Sequence, residues 1–145
     1  GLSHSCAVTI GGAVKCWGVG GAGALGNGST ANSFVPVDVT GLSSGVVALD
    51  AGAAHQCALT RGGAVKCWGY GRYGQLGNGS TTNSLVPVAV TALGSGMVAV
   101  AAGVYHTCAL TSGDALKCWG RGEFGQLGSG GQTDILVPAG VIGFP

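Results

Sequence analysis

The most constraining feature of this sequence is a pattern that recurs every 51 residues without insertion or deletion. The sequence His-x-Cys-Ala begins at His4, His55 and His106, and Lys-Cys-Trp-Gly begins at positions 15, 66 and 117. Self-similarity at a fixed period predicts an array of structurally equivalent units. We therefore expect one array over residues 1–145, with repeat 1 at about 1–45, repeat 2 at about 46–96 and repeat 3 at about 97–145.

The glycine content limits these units to β-structure. Glycine supplies 31 of the 145 residues, and both glycine and proline break helix interiors. The longest run without glycine, residues 80–93, is interrupted by Pro87. Disorder is disfavoured, because 46% of the residues are hydrophobic and only 8% are charged. An all-β chain with many turns is the class that remains.

Each unit contains four short segments that are typical of strands. In the second unit, residues 55–60 and 64–68 flank a glycine-rich turn, and residues 86–90 and 97–101 form two further segments. Four strands per ~50 residues indicate a blade of a β-propeller, and a stacked β-solenoid is the alternative. The first unit lacks the valine-rich strand, so we expect eleven strands in all. Propellers typically use about four to eight blades, so three blades make an incomplete propeller.

The motifs also resemble those of a known family. The valine-rich strand with Aromatic-His-x-Cys-Ala-Leu-Thr (98–111), Ala-Leu-Lys-Cys-Trp-Gly (115–120) and Gly-Gln-Leu-Gly (125–128) resembles the regulator of chromosome condensation (RCC1) repeat. The resemblance implies a β-propeller of four-stranded blades, commonly seven. The eukaryotic prototype activates a small GTPase on chromatin, but this chain has no basic tail or acidic insertion, so no exchange or chromatin-binding residue carries over. The paired cysteines resemble the secreted bacterial branch of the family.

Six cysteines form three pairs with a constant separation of ten positions. If the first hairpin turns at Gly11, Cys6 lies directly opposite Cys16 and on the same sheet face as Val8 and Val14. An opposed pair of this kind lies within the range that a disulfide can bridge. We predict three disulfides, and an oxidising extracellular or cell-surface location follows from them. The predicted pairs are Cys6–Cys16, Cys57–Cys67 and Cys108–Cys118.

Other chemical sites are weaker hypotheses. Zinc sites usually contain closely spaced ligand pairs such as Cys-x2-Cys, which the sequence lacks. The pattern Gly-x-Gly-x-x-Gly recurs in all three units, but no helix follows it to bind a pyrophosphate. The repeated histidines have no constant carboxylate or nucleophile beside them, so we expect a structural role, with each imidazole hydrogen-bonded to backbone between blades. The sequence thus predicts no enzyme, metal or cofactor.

The tryptophans of the Lys-Cys-Trp-Gly motif, Trp17, Trp68 and Trp119, have two interpretations. The first is packing between neighbouring blades, with each indole N–H on a backbone carbonyl. The second is a ring of sugar-stacking platforms, as in propeller lectins.

Positions that differ between the units are candidates for a binding surface, since varying loops on a rigid scaffold commonly carry function. Drift on an unconstrained surface is the alternative. Val19, Tyr70 and Arg121 are equivalent, as are Ala22, Tyr73 and Phe124. The candidate binding residues are Val19, Ala22, Tyr70, Arg72, Tyr73, Arg121, Glu123 and Phe124.

The expected function is that of a non-catalytic extracellular scaffold or protein-interaction module. It is either part of a larger array or self-assembles through its open blade ends, so its partners are proteins, including copies of itself. A secreted ligand binder, such as a lectin or an enzyme inhibitor, is the alternative. A net charge of +1 argues against nucleic acid as a partner, and no apolar run is long enough to span a membrane.

Overall fold

The computed structural model describes residues 1–145 and contains eleven strands in three antiparallel sheets, with one short 3-10 helix at Gly21–Gly23. Sheet 1 has three strands and sheets 2 and 3 have four each, as expected from the missing valine-rich strand of the first unit. The strands of sheet 1 are β1 (His4–Val8), β2 (Val14–Gly18) and β3 (Ser33–Asp38). Those of sheet 2 are β4 (Val46–Ala51), β5 (His55–Thr60), β6 (Val65–Gly69) and β7 (Ser84–Ala89). Sheet 3 contains β8 (Met97–Ala102), β9 (His106–Thr111), β10 (Leu116–Gly120) and β11 (Ile135–Gly140).

Each sheet is a meander, in which strands that follow one another in the chain are also hydrogen-bonded neighbours. The strands β4 and β8 contact each other across neighbouring sheets, so the valine-rich strands lie at the inner edge of the array. The backbone amide of Leu2 donates to the carbonyl oxygen of Ala53 (3.1 Å), and the amide of Ala53 donates to that of Val104 (3.1 Å). This row of bonds between equivalent residues links the three sheets at their inner side.

The hairpin register follows the sequence pattern. Cys6 pairs with Cys16 and Val8 with Val14, as predicted from a turn at Gly11. The turn needs glycine at position 12, which has φ +80° and lies where a side chain would meet the backbone nitrogen of Gly45 at 2.6 Å. Glycine is the residue that adopts this conformation without steric cost. The same turn recurs in sheet 2, where Gly63 has φ +76°.

The third strand of the second unit begins earlier than predicted. In sheet 2 it spans Ser84–Ala89, so Pro87 lies in its middle rather than near its start. This strand is the outer edge of the sheet. Proline has no amide hydrogen, but on the solvent side of an edge strand there is no neighbouring strand to accept one, so no hydrogen bond is lost. A register shift between Cys67 and Gly69 on the neighbouring strand accompanies this pairing.

The hydrophobic core lies mainly at the seams between sheets. We call the contact between sheets 1 and 2 the first seam and that between sheets 2 and 3 the second seam. In the first, Val14, Leu25 and Val39 of the first unit pack with Ala58 and Trp68 of the second. Truncating a buried tryptophan typically costs about 3–5 kcal/mol, so the seams contribute much of the stability. Equivalent residues in the second seam include Val65, Leu76, Val90, Ala109 and Trp119.

Candidate functional site

One end of the array carries a group of aromatic side chains and an arginine. It is formed by the loops that follow β6 and β10 and by the turn between β8 and β9. Because each loop leaves its sheet at the same end, residues distant in sequence meet there. We call this group the aromatic surface; its members are Tyr70, Tyr73, Tyr105, Arg121 and Phe124.

Three tyrosine rings form the centre of the aromatic surface. The ring centroids of Tyr73 and Tyr105 are 5.1 Å apart, and those of Tyr70 and Tyr105 are 6.0 Å apart. Tyr70 and Tyr73 contact edge to face, with a centroid distance of 6.1 Å and an interplanar angle of 65°. Tilted and edge-to-face pairs at these distances are favourable by about 0.5–1.5 kcal/mol beyond surface burial. The rings hold one another in place while remaining partly exposed.

Arg121 connects the tyrosines to Phe124. Its guanidinium carbon lies 5.1 Å from the centroid of Tyr73 and 5.4 Å from that of Phe124, within the range of cation–π attraction. The Nε of Arg121 donates a hydrogen bond of 2.9 Å to the carboxylate of Glu123, which raises the pKa of the guanidinium. Phe124 is 74% exposed. The surface thus presents a fixed cation and an exposed aromatic ring side by side.

An open apolar groove of about 450 Å³ lies beside the aromatic surface. Tyr70 and Tyr105 form one wall, and Leu2, Val19 and Ala22 contribute to the rest of its lining. On the other side of Tyr70, the exposed side chain of Arg72 borders a second depression with the polar residues 81–83. Ligand sites commonly combine an apolar groove with a few polar groups at its edge.

The structure brings the eight candidate binding residues to one end of the array. Five belong to the aromatic surface or to the ion pair that Arg121 makes, while Val19 and Ala22 line the groove and Arg72 flanks it. Variation in the loops did not point to Tyr105, the remaining member of the surface. Tyr105 precedes His106, and the equivalent residues of the other units are Ser3 and Ala54. This position therefore also varies between units, and the same criterion applied to it would have identified Tyr105.

His4 and His55 lie in the two seams, and each contacts a side chain of the next sheet. Nε2 of His55 is 3.0 Å from the hydroxyl oxygen of Thr107, and His4 contacts the side-chain amide of Gln56. For His4 and His55, the expectation of a bond to backbone was therefore wrong about the partner, which is a side chain. In each seam the partner of the histidine is the residue that follows the histidine of the next unit, Gln56 for His4 and Thr107 for His55. This position is not constant between units, since the first unit has Ser5 there.

Burial lowers the pKa of all three histidines. Desolvation, together with the nearby His106, lowers the pKa of His55 to about 4. For His4, desolvation and the N-terminal ammonium lower the pKa to about 4. The pKa of His106 is lowered by desolvation alone. The three imidazoles are therefore neutral at physiological pH, and those of His4 and His55 act as hydrogen-bonding groups within the seams.

Two tryptophans complete the seams. The indole N–H of Trp68 donates to the carbonyl oxygen of Ala24 (3.2 Å), and that of Trp119 donates to the carbonyl oxygen of Gln75 (2.9 Å). Both side chains are fully buried. They pack between neighbouring sheets with the N–H on backbone, as predicted, and they cannot serve as sugar platforms. Trp17, on the uncovered side of sheet 1, is only partly buried.

The six cysteines meet in the three pairs that their spacing predicts, each pair at disulfide-bonding distance. In each pair the Cα atoms are 4.1 Å apart, as in a directly opposed, non-hydrogen-bonded pair of an antiparallel sheet. No group of three or more His, Cys, Asp or Glu side chains is arranged to hold a metal ion. The structure also contains no helix that is long and apolar enough to cross a membrane.

Comparison with protein families identifies the repeat. Two family models, both described as the regulator of chromosome condensation (RCC1) repeat, match the chain. One matches residues 11–59 and 63–110, and the other matches residues 46–75 and 97–126.

Relatives contain similar repeats in longer chains. The ultraviolet-B receptor UVR8 of Arabidopsis thaliana is 43% identical over 142 residues, which are 95% of this chain and 32% of UVR8. The human E3 ubiquitin-protein ligase HERC2 is 37% identical over 145 residues, which are 97% of this chain and 3% of HERC2. The chain therefore spans a third or less of these relatives.

Solved structures show the same fold. Human WBSCR16 superposes with a TM-score of 0.86 at 26% identity, covering 97% of this chain and 36% of WBSCR16. Yeast RCC1 (Prp20), in its complex with Kap60, gives a TM-score of 0.84 at 22% identity, covering 96% of this chain and 35% of Prp20. The predicted fold class is thereby confirmed: three all-β propeller blades that do not close into a ring.

Proposed function

Because this chain belongs to the regulator of chromosome condensation (RCC1) repeat family, we propose that it is a non-catalytic protein-interaction module. Its relatives include an ultraviolet-B receptor and a ubiquitin ligase, and what these proteins share with it is the repeat array. Proteins with this fold bind other proteins, as yeast RCC1 does in its complex with Kap60. We assign the module two kinds of contact surface, the aromatic surface and the uncovered faces of the outer sheets, through which the chain joins a larger array or binds copies of itself.

The aromatic surface is the observation that carries the proposal. Aromatic residues and arginine are enriched among residues that dominate binding energy in protein interfaces. Here three tyrosines, Arg121 and Phe124 lie together at one end of a rigid β-scaffold. The rings and the guanidinium restrict one another, so little conformational entropy is lost when a partner covers them. The apolar groove beside Tyr70 extends this surface.

The histidines are assigned a structural role, which supports a non-catalytic module. Each imidazole of the first two units is hydrogen-bonded within a seam, and its lowered pKa favours the neutral form. A general base also needs an adjacent group to orient it and a reacting group within hydrogen-bond reach. The imidazole of His55 is fully buried, away from the loops that carry the aromatic surface.

We further propose an extracellular or cell-surface location. Three cysteine pairs at disulfide-bonding distance are the supporting observation. Disulfides form and persist in oxidising compartments and are rare in the cytosol.

A selection experiment tests the aromatic surface. The immobilised chain is used to select binders from a displayed library of random peptides, and the Tyr73→Ala and Arg121→Ala variants are tested with the selected peptides. We expect at least a tenfold loss of affinity in both variants, because each removes a side chain of the aromatic surface. The Lys66→Ala variant, whose side chain lies on β6 away from the loops, is the control. Peptides that bind all four chains equally would reject the aromatic surface as the binding site.

A glycan-binding role is the second candidate. The depression beside Tyr70 combines an aromatic ring with Arg72, Thr82 and Asn83, and lectin sites commonly place polar groups beside a stacking ring. An enzyme inhibitor using the same loops belongs to this alternative. Saturable binding on a glycan array that is lost in Tyr70→Ala, with no peptide selected, would favour the secreted ligand-binding function over the protein-interaction module.

A further inference from the structure

The two outer sheets each have a face that no other sheet covers, and the two faces are equivalent to the two sides of a seam. The uncovered face of sheet 1 carries Ala7 and Trp17, and we call it the leading face. The uncovered face of sheet 3 carries Leu116, Val141 and Phe144, and we call it the trailing face. We propose that the leading face of a second copy of this chain packs on the trailing face and forms a third seam. The inference specifies the partner of the open faces in the proposed function and is independent of the aromatic surface.

The apolar residues of the two faces match a seam position by position. Val39 and Leu42, which follow β3, are 3% exposed in the first seam, and their equivalents in the second seam, Val90 and Leu93, are similarly buried. The equivalent of Leu42 in the third unit, Phe144, is 45% exposed. The trailing face therefore retains the apolar residue types of a seam.

The leading face likewise exposes residues whose equivalents are buried in the seams. Ala58 and Ala109 are buried under the preceding sheet, but the equivalent Ala7 is exposed. Trp17 is only partly buried, whereas Trp68 and Trp119 are fully buried. Its position in a third seam would be against Leu116 and Val141, since Trp119 packs in a cluster with the equivalent Val65 and Val90.

An outer-strand residue and a loop glycine make a second apolar match. Gly23 and Gly74 have no room for a side chain: a Cβ atom would lie 2.6 Å from Cα of Leu85 at Gly23 and 2.9 Å from Cα of Leu136 at Gly74. The equivalent glycine of the third unit, Gly125, has no atom within 4 Å of that position. The equivalent of Leu85 and Leu136 is Phe34, and it is 96% exposed. Phe34 of a second copy would cover Gly125.

The polar groups of the two faces also fit a copy of this chain. In the second seam, His55 contacts Thr107, and the carbonyl oxygen of Gln75 accepts from both Thr107 (3.0 Å) and Trp119 (2.9 Å). The trailing face offers an imidazole in His106 and the backbone carbonyl of Gln126, and the leading face offers a hydroxyl and an indole in Ser5 and Trp17.

These four residues reproduce the hydrogen-bonding groups of the second seam, in which the imidazole, the hydroxyl and the indole each meet a partner. The first seam differs in having Gln56 in place of the hydroxyl, while its indole donates to a backbone carbonyl, that of Ala24, in the same way. Sheet 1 has three strands, so the third seam has one inner strand fewer than the second. We therefore expect an association weaker than the seams within the chain and dependent on concentration. The contact is heterologous, so it builds either a closed ring or an open filament.

Complementation between two variants tests this arrangement. Phe34→Glu blocks the leading face and Phe144→Glu blocks the trailing face, and each variant keeps the other face intact. Light scattering after size exclusion is expected to give the wild type a mass of at least twice 13.9 kDa at millimolar concentration. Each variant alone is expected to stay at 13.9 kDa, and an equimolar mixture to form a heterodimer. Ile10→Glu is the control, because Ile10 is fully exposed in a turn where the second unit carries Arg61.

Fluorescence of the wild type gives a second readout that needs no variant. Acrylamide quenching of Trp17 is expected to fall as the protein concentration rises from micromolar to millimolar, because the indole becomes covered. A wild-type mass of 13.9 kDa over the whole range, or association that persists in Phe34→Glu and in Phe144→Glu, would overturn the proposal. Tyr73→Ala is expected to leave the mass unchanged, so failure of the aromatic surface and failure of the third seam are distinguishable.

Discussion

Nε2 of His55 lies 3.0 Å from the hydroxyl oxygen of Thr107, across the second seam. The same hydroxyl lies 3.0 Å from the carbonyl oxygen of Gln75 and has a single hydrogen to donate, which goes to that carbonyl. The hydroxyl oxygen must then accept from Nε2, and this fixes the tautomer of His55. The carbonyl oxygen of Gln75 also accepts from the indole of Trp119. Residues that the repeat places far apart in sequence thus share one hydrogen-bond network.

Replacement of Thr107 by valine tests this network. The variant removes the hydroxyl but keeps the shape, and it leaves the buried Nε2–H of His55 without an acceptor. An unsatisfied buried donor costs about 1–3 kcal/mol, and we expect this decrease in the free energy of unfolding, measured with urea. Ser5→Ala, at the equivalent exposed position of sheet 1, is the control and should change stability by less than about 0.5 kcal/mol in dilute solution. Equal effects of the two substitutions would contradict the network.

Stability should fall as the pH falls from about 6.5 to about 4. The pKa of His55 is lowered to about 4 in the folded chain, whereas the unfolded chain protonates it near the usual value of about 6.5. Between these values the unfolded state binds more protons, so the free energy of unfolding decreases with decreasing pH. His4 titrates in the same direction over the same range.

The expected contribution of His55 is about 3 kcal/mol, complete above pH 6.5 and lost by pH 4. Urea unfolding at a series of pH values measures it. His55→Gln has no group to titrate at this position and should show a shallower pH dependence than the wild type. An identical slope in the two proteins would show that His55 does not control the acid sensitivity.

Loss of the central cysteine pair should destabilise the chain. If Cys57 and Cys67 are joined, the bond closes a loop of about eleven residues, which loop-closure entropy values at about 2–3 kcal/mol. The double variant Cys57→Ala/Cys67→Ala is expected to lose that amount in non-reducing urea unfolding, and the wild type should lose stability when reduced. Mass spectrometry of the unreduced protein should detect no free thiol; six free thiols would disprove the pairing.

The tryptophans should differ in their contribution to stability. Trp68 is fully buried and donates to the carbonyl oxygen of Ala24, so Trp68→Phe leaves that oxygen without its donor and opens space in the first seam. We expect a loss of about 2 kcal/mol. The same change at the partly exposed Trp17 should cost less than about 0.5 kcal/mol in dilute solution. Thermal unfolding compares the two, and a larger effect at Trp17 would be inconsistent with the buried position of Trp68.

The hairpins were predictable from the sequence because their information is local. Opposed cysteines, alternating valines and a glycine turn together determine the pairing of Cys6 with Cys16. The outer strand was harder, because its bounds depend on a register shift between Cys67 and Gly69 that the alternation of side chains along the strands does not reveal. Pro87 was expected near the strand start because the edge position, which makes a proline tolerable anywhere along it, was unknown.

The candidate site was predictable only in part. Variation between units identified seven loop residues of the aromatic end besides Arg121, but the packing of Tyr105 between Tyr70 and Tyr73 depends on how neighbouring blades are rotated. The partner of His55 was also not predictable from the sequence. Thr107 lies 52 positions away, and the equivalent residue of the second unit is Gln56, so no constant residue marks the position. A repeat shows which residues are equivalent, and three-dimensional contact between units decides which of them meet.

The spacing of the seam contacts has a consequence for how such a chain can change in length. The second unit contributes His55 to the seam on one side and Gln56 to the seam on the other, in contacts that join residues 52 positions apart. Duplication or deletion of a coding segment for 51 residues, wherever its breakpoints fall, would rejoin the same halves in register. Genes for these arrays can therefore gain or lose whole blades through recombination between repeats without creating an unmatched internal junction.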